Sequence, residues 1–528
     1  AKRSHVFKVE TVGDCYVAVC GMPQPQKDHA VTMARFACKC LEKFKETTYR
    51  LENSLGPDTG ELEIRVGVHS GSVTAGVIRG ENARFQLFGD TMNTAARMES
   101  TGVKGKVQVS KGTANFLKAA GKSIWLVPRE DKVFVKGKGE METFWLSLAC
   151  FHSLSCSHTY STTSSSVKNN EEVHDVGSDK ISRLVDWTSD VLLGLLTQIV
   201  AQRNSIESAL NVKKADEANL LLPNERPFGE VKEVITLPHY DGSVMRQEGT
   251  QSVVLKPEII RQLHDYVGVI ASFYNDNPFH NFEHATHVTM SVKKLLSRIV
   301  APSDIDFEDV PVHSIGQLLH DHTYGITSDP LTPFACVFSA IIHDVGHCGV
   351  SNAQLIKEDS KIARYYNGKS VAEQNSVDLA WNLLMEDKYK KLRQTIYTND
   401  LELKRFRQLV VNGVMATDIV DNELKMLRNA RWDRAFSDNP PEEEKDQITN
   451  RKGTIVIEHL LQASDVAHTM QHWHVYRKWN ELFFMECHRA YKEGRSDVDP
   501  STMWYNGEIG FFDFYIIPLA KKLKECGV

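Results

Sequence analysis

Three short stretches in the C-terminal half of the chain mix imidazole with carboxylate. They read Phe279-His280-Asn281-Phe282-Glu283-His284, His343-Asp344-Val345-Gly346-His347 and Ser464-Asp465-Val466-Ala467-His468. Imidazole nitrogen and carboxylate oxygen are the donors that suit zinc and harder divalent cations. Two such cations side by side are a common solution to phosphate ester hydrolysis. A lone histidine is ordinarily a hydrogen-bonded surface or core residue. Recurrence of the pattern beside separate apolar runs weakens that reading, because polar groups at a buried helix end are costly without a partner or a metal.

The elements that must position these residues follow from the apolar pattern. His280 and His284 are four residues apart, a spacing that predicts one face of a helix. His343 and Asp344 follow Phe334 to Ile342, an apolar run that predicts a buried helix, and His347 lies one turn beyond His343. Asp465 follows the apolar stretch Ile455 to Leu461. From about Lys256 the pattern is almost wholly helical, with Ser437 to Asn450 expected as a surface loop. Ile181 to Leu210 reads as an amphipathic helix, either connecting and dimerising or packed into the next domain. Residues 150–180 are small and polar and predict a Ser/Thr-rich linker. Residues 1–149 mix signals: a hairpin over Val6 to Cys20 around Gly13-Asp14, a helix over Asp28 to Leu51, strands at Ile64 to Val68 and Val107 to Val109, a helix from Thr91 to Met98, and strand, glycine turn and strand over Val133 to Leu148. The expected architecture is therefore multidomain: an α/β region at 1–149, the linker, a connecting helical segment at 181–224 and an all-α domain at 225–526.

Composition sets the outer limits. The 528 residues are 41% hydrophobic and 25% charged with net charge −6, as in a soluble globular protein and not a dedicated nucleic-acid binder. The ten cysteines are dispersed without a CxxC pair, which suits free thiols in a reducing, cytoplasmic compartment. No run of roughly eighteen apolar residues predicts a membrane span. The chain opens on alanine, which reads as a cut through a longer protein whose upstream part could carry a membrane anchor.

The helical half resembles the catalytic domain of class I cyclic nucleotide phosphodiesterases, within the wider His-Asp metal hydrolases. The resemblance rests on His-Asn-x-x-His, His-Asp-x-x-His-x-Gly-x-x-Asn, Ala416-Thr417-Asp418 and Gly510-Phe511-x-Asp513 in family order. It implies that His284, His343, Asp344 and Asp465 hold a zinc ion. Asp344 would bridge to a second cation, magnesium or manganese, and His280 would protonate the departing 3′ oxygen. His347, Glu373 and Thr417 would orient water, and Phe511 would stack on the purine. Three positions depart from the family, two of them Gly346, where a polar residue is common, and Glu508, which replaces a base-reading glutamine. An ionised glutamate only accepts hydrogen bonds, whereas glutamine also donates, so cyclic AMP and cyclic GMP both stay open as substrates. His468 replaces a common asparagine.

The N-terminal region resembles the catalytic core of class III nucleotidyl cyclases, guanylyl cyclases above all, in an incomplete ferredoxin-like form. Val9 to Asp14, Phe88 to Ser100 and Val135-Lys136-Gly137-Lys138-Gly139 carry the likeness. It implies Asp14 as a ligand of magnesium or manganese, Asn93 and Arg97 as transition-state stabilisers and Lys136 on the triphosphate. Glu10 and Gln86 would select guanine, making GTP the substrate and a homodimer the working form. No Phe-x-Asp-Ile-x-Gly-Phe motif precedes Glu10. A first strand and one metal aspartate are therefore expected to be missing, and this chain alone is expected to form no cyclic GMP. The two resemblances together imply one polypeptide that makes and destroys a cyclic nucleotide. The alternatives are a hydrolase with a dimerising or nucleotide-binding cyclase-like module, and a different His-Asp phosphohydrolase.

Overall fold

Alternating and four-residue apolar spacings succeed one another in the first 150 residues, and the chain builds strands and helices to match. The computed structural model describes residues 4–12, 15–22, 24–56, 59–60, 62–78, 84–131, 133–135, 139–147, 176–210, 226–238, 253–300, 312–326, 328–436 and 445–527. The chain divides into two units, Ala1–Glu172 and Val173–Val528.

In the first unit, β1 (Phe7–Val12) pairs antiparallel with β2 (Cys15–Val19), as the hairpin reading expects. Helix α1 (His29–Leu55) turns Ala30, Ala34, Ala37, Cys38 and Leu41 inward onto Val68, Val107 and Val109. Those valines lie on β3 (Val66–Val68) and β6 (Val107–Ser110), which run parallel. Parallel strands need a long crossover. Here it comprises the hairpin β4 (Thr74–Ile78) and β5 (Arg84–Phe88), unforeseen in the sequence, and helix α2 (Asp90–Ser100). At Gly67 a Cβ would lie 2.1 Å from Glu99 N and 2.7 Å from Ala95 O, so only glycine lets α2 lie on β3. Helix α3 (Lys111–Ala119) follows β6, with Ser110 Oγ accepting from Thr113 N at 3.3 Å as its cap. β7 (Leu126–Pro128), β8 (Val133–Val135), β9 (Gly139–Met141) and β10 (Thr143–Leu146) complete the unit. The strand, turn and strand expected over Val133 to Leu148 is in fact a β8–β9 hairpin plus a third strand that leaves it. β10 joins the main sheet, whose order is β3-β6-β10-β7.

Among its described residues, every regular element of the second unit is a helix. Its elements are α4 (Val176–Leu210), α5 (Pro227–Glu230), α6 (Pro257–Phe273), α7 (Phe282–Val300), α8 (Val312–His322), α9 (Leu331–Ile342), α10 (Asn352–Lys357), α11 (Lys361–Tyr365) and α12 (Val371–Met385). They continue as α13 (Lys390–Ile396), α14 (Asp400–Met415), α15 (Asn422–Phe436), α16 (Lys445–Asp465), α17 (Trp473–Lys492), α18 (Trp504–Phe511) and α19 (Ile517–Glu525). Helix α9 is buried on all sides, which its unbroken apolar sequence requires, and packs against α4, α7, α14 and α16. Of the two readings of Ile181 to Leu210, the packing helix is the one observed: Leu184, Trp187, Leu192, Leu196 and Ile199 of α4 sit in the same core as α9. Lys180–Ser205 is long and apolar enough to cross a membrane by length and composition, but half of it is buried in this core. The loop expected over Ser437 to Asn450 needs correction. Residues 445–450 form the first turns of α16, where Asn450 Oδ1 accepts from Leu237 N at 2.9 Å, and 437–444 lie outside the described residues.

A buried polar seam fixes α5 and the strand-like stretch after it. Arg407 of α14 donates to both carboxylate oxygens of Glu230 at 2.8 and 2.7 Å, with both side chains under a tenth exposed. Arg431 pairs with Glu458 at 2.6 Å, and Asn412 donates to Lys232 O and Glu458. Removing one member of such a pair strands the other charge. Arg407→Leu is expected to destabilise the helical unit by about 3–5 kcal/mol. Urea unfolding of the full chain, followed by tryptophan fluorescence, checks this; a loss below about 1 kcal/mol, the range of an exposed pair, contradicts it.

Candidate active site

Because α9 is apolar all round, its C-terminal end is fixed inside the unit, and the polar residues that follow are delivered there. His343 caps α9 in helical conformation, and its Nδ1 lies 2.9 Å from Ala340 O. That contact places a proton on Nδ1 and turns Nε2 toward the carboxylates. His343 Nε2 is buried and has no hydrogen-bond partner. Gly346 then turns the chain at φ +74°, where a Cβ would come within 2.9 Å of Leu379 Cδ1. This accounts for a glycine where the family often carries a polar side chain.

His284 enters from the first turn of α7, whose end is capped by Asn281 Oδ1 accepting from His284 N at 3.0 Å. His280 does not share that helix: α7 begins at Phe282, so the one-face reading of the two histidines is corrected to a turn followed by a helix. The cause is the Asn281 cap, which ends the helix one residue after His280. Asp465 is the last residue of α16.

These side chains converge. His284 Nε2 is 3.0 Å from Asp465 Oδ1 and 3.7 Å from Asp344 Oδ2. His343 Nε2 is 3.0 Å from Asp344 Oδ2 and 3.5 Å from Asp465 Oδ1. Donors at about 2.1 Å from one cation stand roughly 3.0–3.4 Å apart in octahedral or tetrahedral geometry, and the observed separations bracket that range. His284, His343 and Asp465 are therefore placed so that they could hold a cation, and Asp344 Oδ2 lies within 3.7 Å of both imidazoles. Burial lowers His343, but Asp344 and Asp465 outweigh it and hold the ring well above its ordinary range. Burial dominates at His284, which is lowered. Asp465 would be raised by burial, yet His284 and His343 carry it well below the usual carboxylate range.

His280, His347 and Glu486 form a second group of possible donors. Its geometry is that of a hydrogen-bonded dyad. His280 Nδ1 lies 2.5 Å from Glu486 Oε1, closer than two ligands of one cation stand. Glu486 Oε2 also accepts from the backbone N–H groups of Phe279 and His280, at 2.9 and 3.0 Å. Burial opposes the charge on Glu486, but the hydrogen bonds from His280 prevail and bring it down to about 2. His280 is lowered by burial and raised more strongly by Asp344, Glu486 and Asp465, for a net rise. The His347 ring lies over His280 with centroids 3.9 Å apart, and burial followed by the charge of His280 brings His347 down to about 4. The sequence gives no sign of Glu486, because the histidine it holds lies 206 residues away in the chain.

Glu373 lies in the first turn of α12, and its carboxylate accepts from Asn352 at 2.9 Å. Burial, then the nearby Asp418, raises it to about 8. Thr417 donates to Val414 O at 2.8 Å beside Asp418. Glu508 on α18 is half-buried and accepts from Tyr476 OH at 2.5 Å. Phe511 stacks on Tyr515 at 5.3 Å and packs with Ala463 and Val466, the neighbours of Asp465. Phe511 thus packs on the apolar group that flanks Asp465. His468 packs edge-on to Phe279, which in turn lies against His284.

In the first unit, Glu10 sits half-buried on β1 and Gln86 half-buried on β5, strands that meet through Phe7 and Phe85 at 5.8 Å. Asn93 and Arg97 share an exposed face of α2, while Thr94 and Met98 are buried on its other side. Asp14 and Lys136 lie outside the described residues.

Comparison with known proteins agrees with both halves. Residues 1–148 match the adenylate and guanylate cyclase catalytic domain, and residues 279–527 match the 3′5′-cyclic nucleotide phosphodiesterase family. The chain therefore joins a guanylate cyclase-type catalytic domain to a cyclic nucleotide phosphodiesterase domain. It is similar to guanylate cyclase soluble subunit beta-2 of Rattus norvegicus, 44% identical over 142 residues, which is 27% of this chain and 19% of that protein. It is likewise similar to soluble guanylate cyclase 89Da of Drosophila melanogaster, 43% identical over 27% of this chain and 19% of that protein. The chain thus spans about a fifth of the length of these curated relatives. Among solved structures, the phosphodiesterase domain of Salpingoeca rosetta rhodopsin phosphodiesterase aligns at 22% identity and TM-score 0.39, over 50% of this chain and 74% of that one.

The donor cage predicts a metal dependence that can be read without turnover. Asp465→Ala is expected to lower bound divalent metal in the purified chain by tenfold or more, on the order of what a lost ligand costs. Metal analysis by mass spectrometry checks it, and full retention would show that Asp465 is not a ligand.

Proposed function

We propose that the helical unit hydrolyses a 3′,5′-cyclic nucleotide to the 5′-nucleotide. The observation that carries the reading is His343 Nε2, buried and without a hydrogen-bond partner while facing Asp344 and Asp465. In this reading His284, His343, Asp344 and Asp465 would hold zinc, and Asp344 would also serve a second cation, magnesium or manganese. Bound there, such cations neutralise phosphate oxygens and lower the pKa of water. His280 gives a proton to the departing 3′ oxygen from Nε2, while Glu486 holds the opposite nitrogen and favours the protonated ring. Glu373, largely neutral at pH 7 with its value near 8, orients water together with His347 and Thr417. Phe511 stacks on the purine. Glu508 spends one oxygen on Tyr476 and offers the other to a donor on the base edge, which guanine carries at N1 and adenine at its amino group.

In the whole protein the first unit makes cyclic GMP from GTP. Glu10 accepts from guanine N1–H and N2–H, and Gln86 donates to O6. Asn93 and Arg97 stabilise charge at the α-phosphate, with Asp14 on a magnesium or manganese ion and Lys136 on the triphosphate. Their outward placement on α2 supports a homodimer whose sites are completed across an interface.

Hydrolysis of cyclic AMP and cyclic GMP by the chain, supplied with zinc and magnesium, tests the first proposal; no turnover of either sinks it. Glu508→Gln is expected to change the ratio of kcat/KM for the two substrates, and an unchanged ratio would remove Glu508 from base recognition. Glu486→Gln takes away interactions that raise His280, so the acid loses its proton at lower pH. Its kcat is expected to fall about tenfold or more, and the alkaline limb of its pH profile to move toward acid. A limb that stays in place separates Glu486 from the acid.

A further inference from the structure

The carboxylate beside the cation ligand His284 is held from two sides. Glu283 Oε2 lies 2.9 Å from Lys180 Nζ of α4, and Glu283 Oε1 lies 3.1 Å from Lys478 Nζ of α17. Glu283 is only 18% exposed, and Lys180 29%. An exposed ion pair contributes little, but a part-buried carboxylate shared by two lysines resists screening better. Glu283 also stands in the first turn of α7, where a negative charge suits the helix end.

The helices joined here carry the proposed acid, its partner and one cation ligand. The segment entering α7 supplies His280, and α7 itself supplies His284. Helix α17 supplies Glu486, which holds His280, and Tyr476, which holds Glu508. Lys478 lies between those two residues on α17, and the next residue, Trp479, packs its buried ring 5.7 Å from the ring of His284. Helix α4 is anchored independently by its apolar side chains in the core and by Asp186 Oδ1, 2.7 Å from His264 Nε2 of α6.

We propose that Glu283 is a positioning residue: gripped by Lys180 and Lys478, it keeps His280 and His284 in register with Glu486 and Tyr476. Lys180 lies near the start of α4, so it makes the helix that follows the Ser/Thr tract a part of that register. Loss of the grip lets α7 and α17 slide, and a displacement near 1 Å at an acid is enough to slow proton transfer severely. The inference rests on the hydrolase reading of His280 and His284.

The test uses the full chain and its Glu283→Gln, Lys180→Met and Lys478→Met variants, with steady-state kinetics, metal content and thermal unfolding. Glu283→Gln is expected to lower kcat about tenfold with KM within about twofold, bound metal retained and the unfolding midpoint little changed. Lys180→Met is expected to act in the same direction, and to add nothing in the Glu283→Gln background, since the two share one interaction. The part-exposed Lys180→Met keeps the test open if Glu283→Gln does not fold. Wild-type turnover with unchanged kcat in the variants overturns the clamp alone. So does a kcat loss that merely follows lost metal or a lowered midpoint, or strict additivity of the two substitutions. Absence of wild-type turnover overturns the hydrolase reading itself, and the positioning role with it.

Discussion

The helical unit is organised around one unresolved electrostatic demand at the end of α9. Two imidazoles and two carboxylates meet within a few ångströms, and His343 turns Nδ1 to Ala340 O, so that its buried Nε2 faces only the two carboxylates. Burial makes such a group expensive unless a cation or a proton completes it. The rest of the architecture keeps the demand from being relieved by movement. Helix α9 cannot retreat, because it is apolar on all sides and wedged among α4, α7, α14 and α16. Asp465 cannot swing away freely, because it ends a helix whose buried residues Ile455, Leu460 and Leu461 belong to the same core.

Helix α17 provides the complement. It contributes no ligand to the cluster, yet it holds His280 through Glu486 and Glu508 through Tyr476. In the proposed reaction the acid and the base-reading carboxylate are thus both held by one helix, while the proposed cation donors come from others. Such a division allows the base-reading edge to change without disturbing the cluster. A glutamate at 508 in place of a glutamine is a change of that kind.

The helical half was largely legible because its motifs sit at helix ends, and helix ends are marked by apolar runs that stop. Phe334 to Ile342 announced α9, and His343 and Asp344 followed where the run broke. His280 was misplaced onto a helix because four-residue spacing says nothing about where a cap falls; Asn281 decides that. Glu486 was illegible, because its role comes from a contact 206 residues away in sequence and not from any neighbour. In the α/β half, the β4–β5 hairpin escaped notice, and β10 was read as a partner of β8. Period-two patterns locate strands but not the sheet that each strand joins.

Acid and base assignments lie furthest from the sequence. The carboxylates of this site have similar intrinsic affinities for protons, yet their surroundings drive them apart. Asp344 and Asp465 are held well below the ordinary range by the histidines that face them, against the pull of burial. Glu486 is brought to about 2 by His280 and two backbone N–H groups. Glu373 loses its charge to burial and to nearby Asp418, against hydrogen bonds from Asn352 and its own backbone, and rises to about 8. What separates them is the count of donors each carboxylate meets once it has left water. A carboxylate given cationic partners stays charged and can serve as a ligand or hold an acid. One given another carboxylate keeps its proton and can donate it to a hydrogen bond. The fold thus draws opposite chemistry from like side chains, and the difference is made by the direction from which neighbouring helices enter.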